Sequence, residues 1–365
     1  MNLEGNELVF VTRERKDLPG ARYRAYNFSK YLNSQGIKSQ VFSYADTIGA
    51  LSGDLERFLT FKDKIVLNIK AIKLFAKIIN PIFIIQRFNY HSLAPYLYSK
   101  VKKIDYIFDL DDWEFREDIT YLLGIFPKSK AEFLSRTIAR EARVCFAGSR
   151  FLEDYLKNVN PETYYLTPGI DLDVFSSLSD KNGEVVKLAW LGTMFRKEDF
   201  YNLNLLFDIV SKMDSNFHLK IIGSGIYINE VKSQAEKLKI KNISFTGWVR
   251  PESIPELLNE IHIGVYPIAV KNKFMMAKFP VKVLEFMAKG IPVVATNFGE
   301  VASIIKNGDD GFLTDDILGF REALYVLIKN KDLRKKMGIK ARKKIENEYN
   351  LKVQGERLLG ILKNV

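Results

Sequence analysis

A single cysteine, Cys145, stands in a chain of 365 residues. One thiol makes no intrachain disulfide and no cysteine-built metal site, which predicts a reducing, cytoplasmic setting. Histidine is nearly as scarce, three in all. No stretch approaches the roughly 18 uninterrupted apolar residues of a membrane-spanning helix. The opening MNLEGNELVFVTRERK lacks a basic start followed by an apolar run, so no secretory signal is expected there. Acidic residues are in deficit, 44 against 55 Lys and Arg, for a net charge of +11.

Such a balance points to acidic partners: nucleic acid, anionic lipid or phosphorylated substrates. Between 62 and 103, Lys62, Lys64, Lys70, Lys73, Lys77, Arg87, Lys100, Lys102 and Lys103 face only Asp63. Between 329 and 344, nine basic residues face only Asp332. No zinc-finger spacing, RNP-type strand or Gly-rich basic tail accompanies them, so no nucleic-acid partner is expected.

At 47% hydrophobic and 27% charged, the composition is globular, and the length suggests two domains. Short apolar runs alternate with amphipathic segments. Strands are expected at 7–12, 39–43, 81–86, 104–109, 143–147 and 163–166, with helices at 21–35, 129–142 and 149–158. The alternation restarts with strands at 185–192, 218–225, 243–248, 261–267, 291–296 and 311–314. Helices at 200–213, 226–239, 252–260 and 279–289 separate them. This predicts an α/β protein with two doubly wound, Rossmann-like domains facing a cleft. The expected division is 1–175, 186–345 and a C-terminal helix in 346–365 packing back toward the first domain. The polar SSLSDKNGE stretch serves as linker.

The strongest motif is KFPVKVLEFMAKGIPVVAT, 278–296. A carboxylate on its helix, Glu285, is suited to accept hydrogen bonds from the paired hydroxyls of a ribose. Equally, it reads as a surface glutamate on an amphipathic helix. The stretch resembles the donor-site signature of glycosyltransferase family 4 and its GT-B relatives: a glutamate helix, then Ala288, Gly290, Pro292, Val293, Val294 and Ala295. TPGIDLDVF (167–175), WLGTMFRKED (190–199), IIGSG (221–225), FTGWV (245–249), GVYP (264–267) and NFGEVASIIKNGDDGFL (297–313) follow the family's order.

The resemblance implies an enzyme of the GT-B fold, a retaining glycosyltransferase that moves a sugar from a nucleotide-sugar donor. The acceptor would be a glycan or a lipid-linked or other cell-surface molecule. On the donor side it implies Gly192, Arg196 and Lys197, Gly223 and Gly225, Trp248 and Val249, Lys278 and Lys282, and the ribose-binding Glu285. Basic residues and close backbone approach at glycine suit a diphosphate. Trp248 has a second reading as plain core, and most lysines read equally as solvated charges. One departure stands out: many family members carry a first glutamate eight positions before Glu285, where this chain has Ala277.

In the N-terminal half, PGARYRAYNFSKYLNSQG (19–36) resembles the family's opening turn and helix. Pro19-Gly20 reads as a tight turn, and Arg22 and Arg24 are candidates to reach phosphate or acceptor or merely decorate the helix. FDLDDWEF (108–115) resembles an acceptor-side loop, in which Asp109, Asp111 or Asp112 would orient an acceptor hydroxyl or take its proton. They serve equally to cap a helix beginning near Asp112. His91 is a candidate base, though a lone histidine is more often structural. No cofactor and no required metal are expected.

Two other functions fit parts of the chain. A nucleotide-sugar epimerase shares the fold but needs histidines that are scarce here. A membrane- or nucleotide-sugar-binding protein with a degenerate site is given room by Ala277. Residues 61–85 mix lysines with Ile, Leu and Phe at helical spacing, which reads either as an interfacial helix on an anionic membrane or as an ordinary core-facing helix.

Overall fold

The computed structural model describes residues 3–113, 115, 128–176 and 185–365, the side chains of 54 and 128–131 excepted. The linker expected in SSLSDKNGE falls largely outside the described residues. The chain forms two compact units. The first comprises Met1–Gly169, Ala277–Phe279 and Leu351–Val365, and the second Ile170–Met276 and Pro280–Asn350.

The first unit is built on six parallel strands: β1 (Glu7–Thr12), β2 (Ser39–Ser43), β3 (Pro81–Gln86), β4 (Tyr106–Leu110), β5 (Val144–Ala147) and β6 (Thr163–Tyr165). Their order is β2-β1-β3-β4-β5-β6. β1, β3, β4 and β5 are buried along their whole length. Helices cover both faces of such a sheet, so its strands read as continuous apolar runs rather than alternating ones. The C-terminal helix Leu351–Asn364 buries Leu358, Ile361 and Leu362 in one apolar cluster with Phe28, Tyr31 and Leu32. A side chain at Gly355 would run into the Tyr31 ring, so glycine permits that close approach.

The second unit repeats the architecture with β7 (Val186–Leu191), β8 (Phe217–Ile222), β9 (Ile243–Gly247), β10 (Ile263–Tyr266), β11 (Val293–Thr296) and β12 (Gly311–Thr314). These strands are parallel in the order β12-β11-β10-β7-β8-β9. Its core gathers Leu188, Trp190, Leu203, Phe207, Ile221, Val265 and Val294 with Phe320 and Leu324. The expected helix at 252–260 is broken into short turns, Pro251–Ser253, Ile254–Leu257 and Leu258–Glu260. Pro251 and Pro255 each withhold a backbone N–H and so interrupt regular bonding.

Candidate donor site and the charged network of the first unit

In the second unit the strand order reverses direction between β7 and β10. Ligands of open parallel sheets lie outside the carboxyl ends of the strands at such a point. Here Trp190 lies near the end of β7 and Tyr266 ends β10. Lys282 lies in the first turn of the helix Val281–Ala288. It holds its Nζ 4.5 Å from the Trp190 ring centroid and 5.8 Å from that of Tyr266. An ammonium over aromatic faces is attracted by about 0.5–2 kcal/mol. Glu285 follows three residues later on the same helix, 4% exposed.

Glycines bring the neighbouring loops together. Gly192 N–H donates to the Ile222 carbonyl at 2.9 Å, Met194 N–H to Ser224 at 3.0 Å, and Gly223 N–H to Gly247 at 3.0 Å. A Cβ at Gly223, whose φ is +126°, would overlap the Gly192 carbonyl. One at Gly225 would overlap Met194, and one at Gly192 would displace Lys282 Nζ. The loops after β7, β8 and β9 thus lie backbone against backbone, with Lys282 at their junction.

Arg196 stands before the helix Lys197–Val210, its guanidinium 4.0 Å from the Phe274 ring centroid and its N–H on Asp199 Oδ2 at 3.3 Å. Lys197 is exposed at the first helical position. Trp248, directly after the Gly247 held to Gly223, is 45% exposed. The reading of Trp248 as plain core is therefore corrected: β9 is the edge strand, and the indole lies beyond its end. Val249 is half-buried. Lys278 groups with the first unit. Ala277 is fully buried in the first unit's apolar cluster, where a glutamate would bring an unpaired charge into an apolar setting.

In the first unit the order reverses between β1 and β3, and a charged network fills that point. Arg87, just past β3, donates from Nε to Asp111 Oδ1 at 2.5 Å, from Nη2 to Asp111 Oδ2 at 3.0 Å, and from Nη1 to Glu14 Oε1 at 2.8 Å. Gln86 Nε2 adds a bond to Asp111 Oδ2 at 3.0 Å. Arg24 grips both oxygens of Asp109 and reaches the Leu166 carbonyl at 2.6 Å. Arg87 has φ +61°, the left-handed region that non-glycine residues seldom adopt.

The two carboxyls respond differently. Burial pushes Asp109 above the ordinary carboxylate range, more than Arg24 offsets, and the neighbouring Asp111 charge adds to the rise. Burial acts on Asp111 too, but Arg87, Arg24 and the Gln86 bond together hold it below that range.

Several expectations for this unit change. Pro19-Gly20 is not a tight turn but helical backbone leading into the π-helical segment Ala21–Tyr26, because proline is tolerated in a first helical turn. A Cβ at Gly20 would meet the Arg87 guanidinium and the Glu14 carboxylate, so glycine leaves room for that pair. Arg24 is buried against Asp109 rather than presented outward. Arg22 turns back to the Asp17 carbonyl at 2.8 Å and lies over the Tyr23 ring. His91 is 1% exposed, its Nε2 donating to the Gln86 carbonyl at 2.7 Å and its ring edge-on to Tyr44. Asp112 is half-buried and accepts from the Trp113 N–H at 2.9 Å. The helix expected to begin near Asp112 lies largely outside the described residues. Sequence reading did not single out Glu14, Gln86, Trp190, Tyr266 or Phe274. The polar QR pair ending the apolar run PIFIIQ was the one available signal for Gln86 and Arg87.

Comparison with known proteins fits this geometry. Residues 176–344 match the family model "Glycosyl transferases group 1". Over 145 residues the chain is 35% identical to a putative teichuronic acid biosynthesis glycosyltransferase, TuaH, of Bacillus subtilis, covering 38% of this chain and 35% of the relative. Over 117 residues it is 26% identical to the chitobiosyldiphosphodolichol beta-mannosyltransferase of Yarrowia lipolytica, covering 30% of this chain and 25% of the relative. The matched region thus spans a quarter to about a third of these relatives' length. The crystal structure of Anabaena Alr3699/HepE in complex with UDP and glucose superposes on 98% of this chain and 100% of its own, at 13% identity and a TM-score of 0.72. The chain has the fold of the GT-B glycosyltransferases, and its residues 176–344 match the glycosyl transferases group 1 family.

Proposed function

We propose that this protein is a glycosyltransferase that takes a sugar from a nucleotide-sugar donor and passes it to a glycan or lipid-linked acceptor. The observation that carries the reading is the junction at the ends of β7 and β10. There Lys282, seated on Trp190, meets the glycine-tight loops after β7 and β8, one helical turn from Glu285. Lys282 and Arg196 would meet the diphosphate, and Glu285 would accept hydrogen bonds from the ribose hydroxyls. The exposed Trp248 would lie against the base. That Alr3699/HepE was crystallised with UDP and glucose makes a UDP-sugar the first donor to try.

The first unit would hold the acceptor. Asp109 and Asp111 are each gripped by a buried arginine, so we assign them to positioning the loop that follows β4. Asp112 remains the carboxylate to orient an acceptor hydroxyl or receive its proton. Transfer with retention rests on the family 4 resemblance. With no protein nucleophile invoked, the acceptor would attack from the face the phosphate leaves, and that phosphate would help take its proton. Independence from divalent metal is supported by Lys282 and Arg196, fixed cations suited to the charge of the leaving diphosphate. The test is a thermal-shift screen against UDP-, GDP- and ADP-sugars. A ligand that binds only the native state raises the melting temperature. A rise with at least one class supports the reading, and no rise with any of them contradicts it.

A further inference from the structure

The helix Phe61–Phe75 is fixed by a capping box: Thr60 N–H donates to Asp63 Oδ2 at 2.8 Å, and Asp63 N–H to Thr60 Oγ1 at 3.2 Å. It buries one narrow stripe, Leu67, Ala71 and Phe75. The remaining surface is divided in two. Phe61, Ile65, Ile69 and Ile72 recur at spacings of four, four and three, which aligns them along one side of a helix. All four are exposed, Ile69 by 49%. Lys62, Lys70 and Lys73 occupy the adjoining side, and Lys77 follows in the turn after the helix.

Further apolar exposure lies just before and after the helix and on its packing partner. Leu55 and Phe58, 60% exposed, lie in the turn before it, and Ile79, 72% exposed, follows it. The helix Leu93–Lys102, packed against it, exposes Leu97 and Val101, the latter by 79%. That second helix also carries Lys102 and ends at Lys103. The one carboxylate within 62–103 is Asp63, already engaged in the cap. Among the described residues Lys70, Lys73 and Lys77 have no carboxylate partner.

An ordinary surface helix turns polar residues to water and leaves apolar ones singly exposed. Here aligned isoleucines and phenylalanine lie beside a row of unpaired lysines. That pairing matches an interface offering apolar depth beside negative charge, which a bilayer containing anionic lipid provides and a neutral protein surface does not. We propose that the helix Phe61–Phe75 docks this protein on an anionic lipid bilayer. Phe61, Ile65, Ile69 and Ile72 enter the headgroup boundary, while Lys70, Lys73 and Lys77 lie against the charged headgroups. The proposal needs no part of the donor reading, and nucleotide-sugar binding in solution is unaffected by its outcome.

The test is flotation of the full chain with vesicles of phosphatidylcholine alone or of phosphatidylcholine with phosphatidylglycerol, at low and high salt. The protein should float with the anionic vesicles only, and less as salt screens the lysines. Each lysine near the surface contributes about a fivefold factor in binding, so the triple substitution Lys70→Glu, Lys73→Glu, Lys77→Glu should lower it by at least about 100-fold. The pair Ile69→Ser, Ile72→Ser should also abolish flotation while far-UV circular dichroism stays unchanged. Failure of the folded native chain to float with anionic vesicles at low salt overturns the proposal. So does flotation that survives both sets of substitutions. Concentration-dependent dimers that vanish on Ile69→Ser, Ile72→Ser, without flotation, would assign the face to a second copy instead and equally overturn it.

Discussion

The ammonium of Lys282 lies 4.5 Å from the centroid of the Trp190 ring, in the space that a side chain at position 192 would need. Two glycines of one junction therefore answer differently to the same substitution. Gly192→Ala meets side-chain atoms rather than backbone, the Lys282 ammonium and, at 3.0 Å, the Trp190 ring. Its cost in stability should stay under about 1 kcal/mol, while the displaced charge lowers donor affinity by about tenfold. Gly223→Ala meets the Gly192 backbone at φ +126° and should destabilise by about 1–3 kcal/mol or more. Urea unfolding beside calorimetry separates the two effects.

The Arg24–Asp109 pair gives a second test. Asp109→Asn leaves a buried guanidinium facing a neutral amide, and removing one partner of such a pair costs about 3–5 kcal/mol. Asp112→Asn should leave stability within about 0.5 kcal/mol yet reduce turnover by about 100-fold or more if Asp112 receives the acceptor proton. A stable Asp109→Asn protein without activity would return the catalytic role to Asp109.

The pH dependence follows from Asp111. Its carboxyl is held below its unfolded value, so the stability it confers is present above that value, about 3.9, and is lost as pH falls through it toward the lower folded one. Asp109 is shifted upward and acts with the opposite sign just above that value, so the loss due to Asp111 is read most clearly below about pH 3.9. Stability of the native chain should fall steeply there, and Asp111→Asn should flatten that fall. An unchanged slope in the variant would remove Asp111 from the account.

Turnover in excess EDTA, with the new linkage read by proton NMR, tests the chemistry. The expected result is undiminished activity and a product of retained anomeric configuration. Inversion would contradict the mechanism taken from the resemblance. Activity lost in EDTA and restored by manganese would contradict metal independence.

The strands were legible because both faces of each sheet are covered: PIFIIQ and VVAT announce themselves as apolar runs, and the structure places them at Pro81–Gln86 and Val293–Thr296. Glu285 and the glycines of IIGSG were legible as motif. The pairing of Arg24 with Asp109 was not, since 85 residues separate them and only the sheet's strand order brings them together. For the same reason DLDD read as one cluster, whereas the fold hands Asp109 and Asp111 to different arginines. Trp190 beneath Lys282 was hidden likewise, because an indole in an apolar strand looks like core from sequence alone.

The most direct measurement of the central claim is a calorimetric titration of the native chain and of Glu285→Ala with the nucleotide sugar that gives the largest thermal shift. Losing charge-assisted hydrogen bonds worth about 1.5–3 kcal/mol predicts affinity at least about tenfold weaker in a variant that stays folded. Equal affinity in the two folded proteins would contradict the placement of the donor beside the helix Val281–Ala288.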